Sequence, residues 1–301
     1  MGKTLFKNGH VITVDAAFAF AEAVLIDDGV IKAVGADAEI RGLADADTQM
    51  IDLDGRTLMP GFIDTHGHVA LFGLDELKVS LTGAGSKEEI LQRIKARVSA
   101  TSPGEWIVTM PIGEPPYFLN AKALRDSGVV PSRKELDAVA PDHPVYIQAP
   151  TNRVPNFAVL NSAAFAAAGI SAGTEVSPNT KVRLDSDGEP TGIIEGAMQP
   201  IYNFDPLYQL VEQAAPRANY ADIRNGIARL SAEFSKHGTT TLLEAHLTDP
   251  EELRAYAELE AAGQLPLRIF YTFEIDPRQS LGEIEQFLRT LRFAANGGFG
   301  S

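Results

Sequence analysis

Phe62-Ile63-Asp64-Thr65-His66-Gly67-His68 is an apolar run that ends in two imidazoles placed two residues apart. Successive side chains of an extended strand point to opposite faces, so His66 and His68 share one face while Thr65 and Gly67 take the other. A neutral ring nitrogen is a ligand for zinc and similar divalent ions, and two on one face make half of a metal site. The competing reading is a pair of polar residues that merely finish a strand. Gly55, Pro60 and Gly61 punctuate the approach. Asp64 is placed to accept from a ligand ring and fix its tautomer.

Toward the N-terminus, residues 1 to 59 read as short strands joined by tight turns. Leu5-Phe6-Lys7 stops at Asn8-Gly9, a hairpin signal, and His10 to Val14 resumes. Ala23 to Ile26 and Val30 to Val34 flank Asp27-Asp28-Gly29, and Met50 to Leu53 and Arg56 to Met59 flank Asp54-Gly55. Such a small β-module carries too little core to stand alone. Beyond Gly61, strands alternate with helical periodicity. Ile90, Leu91, Ile94 and Val98 mark a helix over 87–100, opened by Ser86 with Glu89 three residues on. Further helices are predicted over 161–168, 218–236, 250–262 and 280–294. Strands are predicted at 106–110, 145–148, 239–243 and 267–273. The stretch 173–192 reads as a surface excursion with one hairpin. Repeated β-α units predict a parallel sheet covered by helices, either a barrel or an open doubly wound sheet.

Composition narrows the chemistry. The 301 residues, 45% hydrophobic and 22% charged, describe a globular chain able to form one large α/β domain with a satellite, or two ordinary domains. A formal net charge of -14 disfavours nucleic acid or an anionic membrane as partner. Cysteine is absent, so disulfides and thiolate metal sites are excluded and any metal must be held by nitrogen and oxygen. The first residues lack the apolar core of a signal peptide, and the apolar-rich stretch 158–168 is too short to span a bilayer, so a cytoplasmic location is expected. Neither a glycine-rich dinucleotide fingerprint after a strand nor a P-loop nor a G-x-S-x-G elbow occurs.

Three further residues are candidates for acid–base or metal work. His246 follows the run Thr240 to Ala245, where a parallel strand would end at the face that carries barrel sites. Glu244 shares its parity if the strand stays regular. Glu274 ends the strand over 267–273 in the same manner, against the alternative of a solvated terminus. Glu195 stands between Ile193-Ile194 and Gly196-Ala197-Met198, and an isolated buried carboxylate needs a partner or a cation. The alternative is an exposed glutamate opening a helix. His237, before a glycine at a helix end, and His143, in the turn Pro141-Asp142-His143-Pro144, are read as structural, and His10 belongs to the small sheet.

With these residues in view, the chain resembles the amidohydrolase superfamily, in particular the branch with N-substituted formamide deformylases and YtcJ-like proteins. The phrases that carry this are Ala23 to Gly35 and, most specific, Asp52-Leu53-Asp54-Gly55 through Pro60-Gly61-Phe62-Ile63-Asp64-Thr65-His66-Gly67-His68. Weaker agreement continues at Trp106-Ile107, Leu136-Asp137, Pro141 to Val145, Asn161-Ser162, Gly188 to Glu195 and Gly238 to Thr241. The resemblance implies an α/β fold, a distorted (β/α)8 TIM-type barrel with a small β-sandwich assembled from both chain termini. Residues 1–59 would be the N-terminal part of the sandwich and 60–301 the first part of the barrel, with the excursion near 173–192.

It also implies a metal held by the His-x-His of the first strand, a carboxylated lysine or a glutamate at mid-barrel, two later histidines and a late aspartate. The first pair carries over onto His66 and His68. The mid-barrel lysine would fall just beyond the region of Leu291 to Phe299, where this chain stops. Two departures bear on substrate. Asn156 stands where relatives have Gly-His before Asn-Ser, and Met110 to Tyr117 replaces a glycine-tryptophan-acid phrase. Tyr117 and Phe118 hint at an aromatic wall.

The function so implied is metal-dependent hydrolysis of carbon–nitrogen, amide-type bonds by activated water, with a divalent ion, zinc foremost, and Glu195, His246 and Glu274 as catalytic candidates. A non-catalytic ligand-binding or scaffolding fragment, and a lyase or isomerase on the same metal site, stay open. The expected partners are a small amide-like substrate and the C-terminal remainder of the protein or a complementary chain supplying strands and ligands. Neither nucleic acid nor membrane is expected, and homo-oligomerisation is open.

Overall fold

The computed structural model describes residues 2–115, 118–150, 155–174, 177–196, 198, 205–275 and 279–295. Tyr117 and the expectations attached to residues 296–301 lie outside them. The elements to the end of the His-x-His strand are β1 (Thr4–Lys7), β2 (His10–Ile12), β3 (Phe20–Ala21), β4 (Ala23–Asp27), β5 (Val30–Gly35), α1 (Asp37–Arg41), β6 (Gln49–Asp52), β7 (Thr57–Leu58) and β8 (Phe62–Gly67). Next come α2 (Val69–Phe72), α3 (Lys87–Val98), β9 (Ile107–Thr109), α4 (Ala121–Asp126), α5 (Arg133–Val139), β10 (Val145–Ile147), β11 (Asn156–Leu160) and α6 (Ser162–Ala167). The remainder is β12 (Thr180–Leu184), β13 (Pro190–Gly196), α7 (Pro206–Ala214), α8 (Tyr220–Lys236), β14 (Thr239–Leu247), α9 (Pro250–Ala261), β15 (Arg268–Phe273) and α10 (Leu281–Ala295).

Two compact units result. The first comprises Met1–Gly67, Ser231–His246 and Leu265–Phe273, and the second His68–Leu230, Leu247–Gln264 and Glu274–Ser301. In the first unit, a four-stranded sheet runs β5-β4-β1-β6 and a three-stranded sheet β3-β2-β7. The Asp28-Gly29 hairpin forms as expected, with both residues at positive φ joining antiparallel β4 and β5. The other two turns behave differently. Asn8-Gly9 and Asp54-Gly55 do turn, but β1 pairs with β4 and β6 while β2 pairs with β3 and β7. The chain therefore passes from one sheet to the other at each turn instead of folding back on itself. The two crossings are bound together. The Gly55 amide donates to the Asn8 carbonyl at 2.8 Å, and Asn8 Nδ2 donates to Asp52 at 3.0 Å. Leu5, Ala23, Leu25 and Ile40 form the small core beneath.

The first unit also holds a sheet of order β15-β14-β8, in which β14 and β8 are parallel. In the second unit the order is β12-β13-β11-β10-β9, with β9 and β10 parallel and the rest antiparallel. This is an α/β fold of mixed sheets that, among the described residues, do not close into a complete barrel. An all-parallel sheet was the expectation. The antiparallel half comes from β11, a run read as merely apolar, and from the 173–192 hairpin, which joins the sheet and does not stand off it. Ile90, Ile94, Leu136, Ile107 and Val145 are at most 1% exposed in one core of this unit. Tyr146, Leu160, Ile194 and Val211 belong to a second. Helix caps follow the sequence signals, Ser86 accepting from the Glu89 amide and Asn161 from Ala164. No helix among the described residues is long and apolar enough to cross a membrane.

Glu212, on α7, is held among Tyr208 and Tyr146. Burial raises its carboxyl above the usual 4.5, offset in part by the Tyr208 hydroxyl that bonds to it and by Lys78 and Arg217. A carboxyl raised on folding stabilises fully below its unfolded value, and that contribution is lost as pH climbs through the folded one. Glu212→Gln keeps a neutral side chain of the same size. Its Tm should exceed the parent's at neutral pH, with the gap closing as pH falls toward 4.5. Thermal melts across pH check this, and a gap independent of pH would refute it.

Candidate metal centre

Because β8 and β14 run parallel, their C-terminal ends lie at the same end of the sheet, in the register Leu242↔Asp64 and Glu244↔Gly67. Glycine makes that approach close. A Cβ on Gly61 would lie 2.1 Å from Thr240 Cγ2, and one on Gly67 2.8 Å from a Leu242 methyl. His66, near the end of β8, thus meets His246 from β14, ring centroids 5.8 Å apart and planes at 73°. His68 is the residue after Gly67, so its place follows from the strand that carries His66. One ring nitrogen from each of His66, His68 and His246 lies within 4.8 Å of the others. Two nitrogens sharing an ion at about 2.0–2.1 Å can be at most about 4.2 Å apart, so small side-chain rotations suffice to close the set. Three imidazoles, exposed or half-buried, fit a divalent cation by donor chemistry as well as by separation.

His246 is held in a costly conformation. Its φ is +63°, the left-handed region that a β-carbon disfavours by roughly 1–3 kcal/mol. Its amide donates to Thr272 Oγ1 at 3.2 Å, and that hydroxyl donates to the Glu244 carbonyl at 3.4 Å. Thr272, on the neighbouring β15, was not singled out in the sequence; the alternation along 268–273 was the available signal. The same backbone twist breaks the regular strand on which the shared parity of Glu244 and His246 depended. Glu244 is buried and His246 only half so.

Asp64 does not orient a ring. Its Oδ1 accepts the His66 backbone amide at 3.0 Å, so it holds the strand end and not a tautomer. Glu274 follows β15, half-buried, with its amide on the Leu247 carbonyl at 2.9 Å, and borders a small cavity beside Thr248 and Phe287. Glu195 lies on β13 in the second unit, 8% exposed, where Arg125 donates to Oε1 and Lys181 and Arg183 lie 3.3 and 3.2 Å from Oε2. The helix-opening alternative for Glu195 does not apply. His143 is buried with Nδ1 on the Glu105 carbonyl at 3.0 Å, and His10 stacks on Phe20. His237 faces Glu233 at 3.3 Å rather than capping its helix. Asn156 is buried, bonding the Pro150 carbonyl and the Met198 amide.

Residues 49–299 match the family described as the amidohydrolase family. The N-substituted formamide deformylase of Arthrobacter pascens is 30% identical over 274 residues, covering 89% of this chain and 47% of that protein. The YtcJ amidohydrolase of Bacillus subtilis is 29% identical over 277 residues, covering 88% and 47% respectively. Among solved structures, an uncharacterized metal-dependent hydrolase from Pyrococcus horikoshii superposes with a TM-score of 0.64 at 22% identity, over 96% of this chain and 51% of its own. The chain spans about half the length of the curated relatives it matches.

Proposed function

The chain belongs to the amidohydrolase family, and from that premise we propose that it forms, with the polypeptide matching the rest of its relatives, a metal-dependent hydrolase of amide-type carbon–nitrogen bonds. The supporting observation is the convergence of His66, His68 and His246 within 4.8 Å at one end of a parallel strand pair. An all-imidazole donor set without cysteine favours zinc, and we propose that ion. When bound, the ion supplies Lewis acidity and lowers the pKa of a water molecule. The three histidines hold and orient it, each through a neutral ring nitrogen. Asp64 and Thr272 keep the two strand ends in place by fixing the amides of His66 and His246.

Among the acid–base candidates, we propose Glu274 as the proton carrier, because it directly follows the strand next to that of His246. His246 is proposed as a metal ligand. Glu195, with both carboxylate oxygens engaged by cations, is proposed to hold those cations in place. The formamide specificity in the name of the Arthrobacter pascens relative is not carried over, given Asn156 and the changed phrase 110–117. The remaining half of the relatives' length would supply further strands and ligands to the sheet β15-β14-β8.

The test is turnover of a panel of small N-substituted amides by the full-length protein, followed by release of amine. Activity should vanish with a chelator and return with zinc. Metal-loaded protein that leaves every amide intact, or that isomerises or eliminates instead, would overturn the reading.

A further inference from the structure

The second unit contains a cavity of about 870 Å³ that the metal centre does not use. Its floor is the face of β12, β13 and β11 on which Lys181, Glu195 and Phe157 stand in one cross-strand row. Arg183 reaches the same cavity across the register shift between Val182 and Leu184, its Nε 3.2 Å from Glu195 Oε2. Helix α4 adds Arg125, whose guanidinium sits 5.7 Å over the Phe157 ring, and Lys122. We propose that this cavity is a binding pocket for a small organic carboxylate carried on an apolar or aromatic body.

Charge is the first argument. Lys122, Arg125, Lys181 and Arg183 line the cavity, and the carboxylates bonded to them are Glu195 and Asp126. Among the described residues, four cations against two carboxylates leave two positive charges, in a chain whose net charge is -14. A concave, partly apolar site of one sign focuses its potential on a ligand of the other. Arrangement is the second. Arg125, Lys181 and Arg183 already converge on one carboxylate, that of Glu195, itself 8% exposed. Arg183 engages it through Nε alone, and a guanidinium carries further donors in a planar fork suited to a second carboxylate. Lys181 and Arg183 keep 67% and 47% of their side chains exposed, so both can turn toward a ligand without disturbing the core. Shape is the third. The volume falls in the range of small-molecule sites, and Phe118 and Phe157 supply an aromatic lining against which an apolar body packs. Glu195 is then the residue that holds the cations apart and pre-aimed.

Isothermal titration of the purified protein with benzoate tests this, alongside benzamide and inorganic phosphate. Benzoate should bind saturably, at least tenfold more tightly than benzamide, which lacks the charge, or phosphate, which lacks the ring. The affinity should be the same with and without chelator. The double change Lys181→Gln with Arg183→Gln should weaken it at least tenfold in a protein that still melts cooperatively, and Arg183→Lys should lose less than Arg183→Gln. Absent binding, benzamide or phosphate binding as tightly, dependence on the metal, or indifference to the double change would each overturn the proposal.

Discussion

Changing His66 and His68 together to alanine should strip the divalent ion, lowering metal content from about one ion per chain to background by elemental analysis. Only His246 of the clustered imidazoles would remain. Losing a group that merely supports a ligand costs about 10–100-fold in metal affinity, so losing two ligands should exceed roughly 100-fold. Hydrolysis should fall by about three orders of magnitude or more, since a Lewis acid lowers the barrier by several kcal/mol and each 1.36 kcal/mol is about tenfold. Two variants keep the outcome interpretable. His143→Ala removes a buried imidazole bonded to a carbonyl and should cost stability while leaving the metal in place. His246→Asn should loosen the metal yet hold or raise Tm, because asparagine tolerates the left-handed backbone found there. Full metal occupancy in the double variant would remove the site assignment altogether.

Gly226→Ala should be among the most destabilising single-methyl changes in the molecule. Gly226 of α8 crosses Gly73, the residue after α2, backbone against backbone. A Cβ on Gly226 would lie 2.6 Å from the Gly73 carbonyl oxygen, and one on Gly73 would lie 2.6 Å from the Gly226 carbonyl carbon. Arg229 donates to that same Gly73 oxygen at 3.0 Å, pinning the crossing. Alanine gains about 1 kcal/mol over glycine in a helix interior, yet the overlap must push two main chains apart. Overpacking costs about 1–3 kcal/mol when side chains can yield, and here none can, so the net loss belongs at or above the upper end. Tm should drop by roughly 5–10 °C. Gly85→Ala, which meets nothing within 4 Å, should leave Tm unchanged. Equal melting of the two variants would show that the crossing can relax.

Much of the local structure was legible because it is written in short-range chemistry. Ser86, Asn161 and Asp249 each accept a backbone amide at the start of a helix, which any reader of capping patterns can anticipate. The turns at Asn8-Gly9 and Asp54-Gly55 were equally visible, but the partners of the strands beside them were not. Turn residues specify that the chain bends, whereas pairing depends on which other strand is near. Here each turn hands the chain to a different sheet. The strand β11 was hidden for a related reason. All five of its residues are buried, so no polar alternation marks it.

The amino-acid order by itself determined that any metal is held by nitrogen and oxygen, since cysteine is absent, and it set His66 and His68, the pair proposed as its first ligands, two residues apart. The α/β class also follows from periodicities confined to windows of a dozen residues. Tertiary structure decided what sequence separation conceals. His246 lies 180 positions from His66, and only the parallel pairing of β8 with β14 brings their rings to 5.8 Å. Glu195 was visible as a lone carboxylate among apolar neighbours, but Arg125 lies 70 residues away and reaches it only once α4 has packed. Contacts of that span have no local signature, because the free energy that makes them comes from burying the whole sheet and not from the residues that meet.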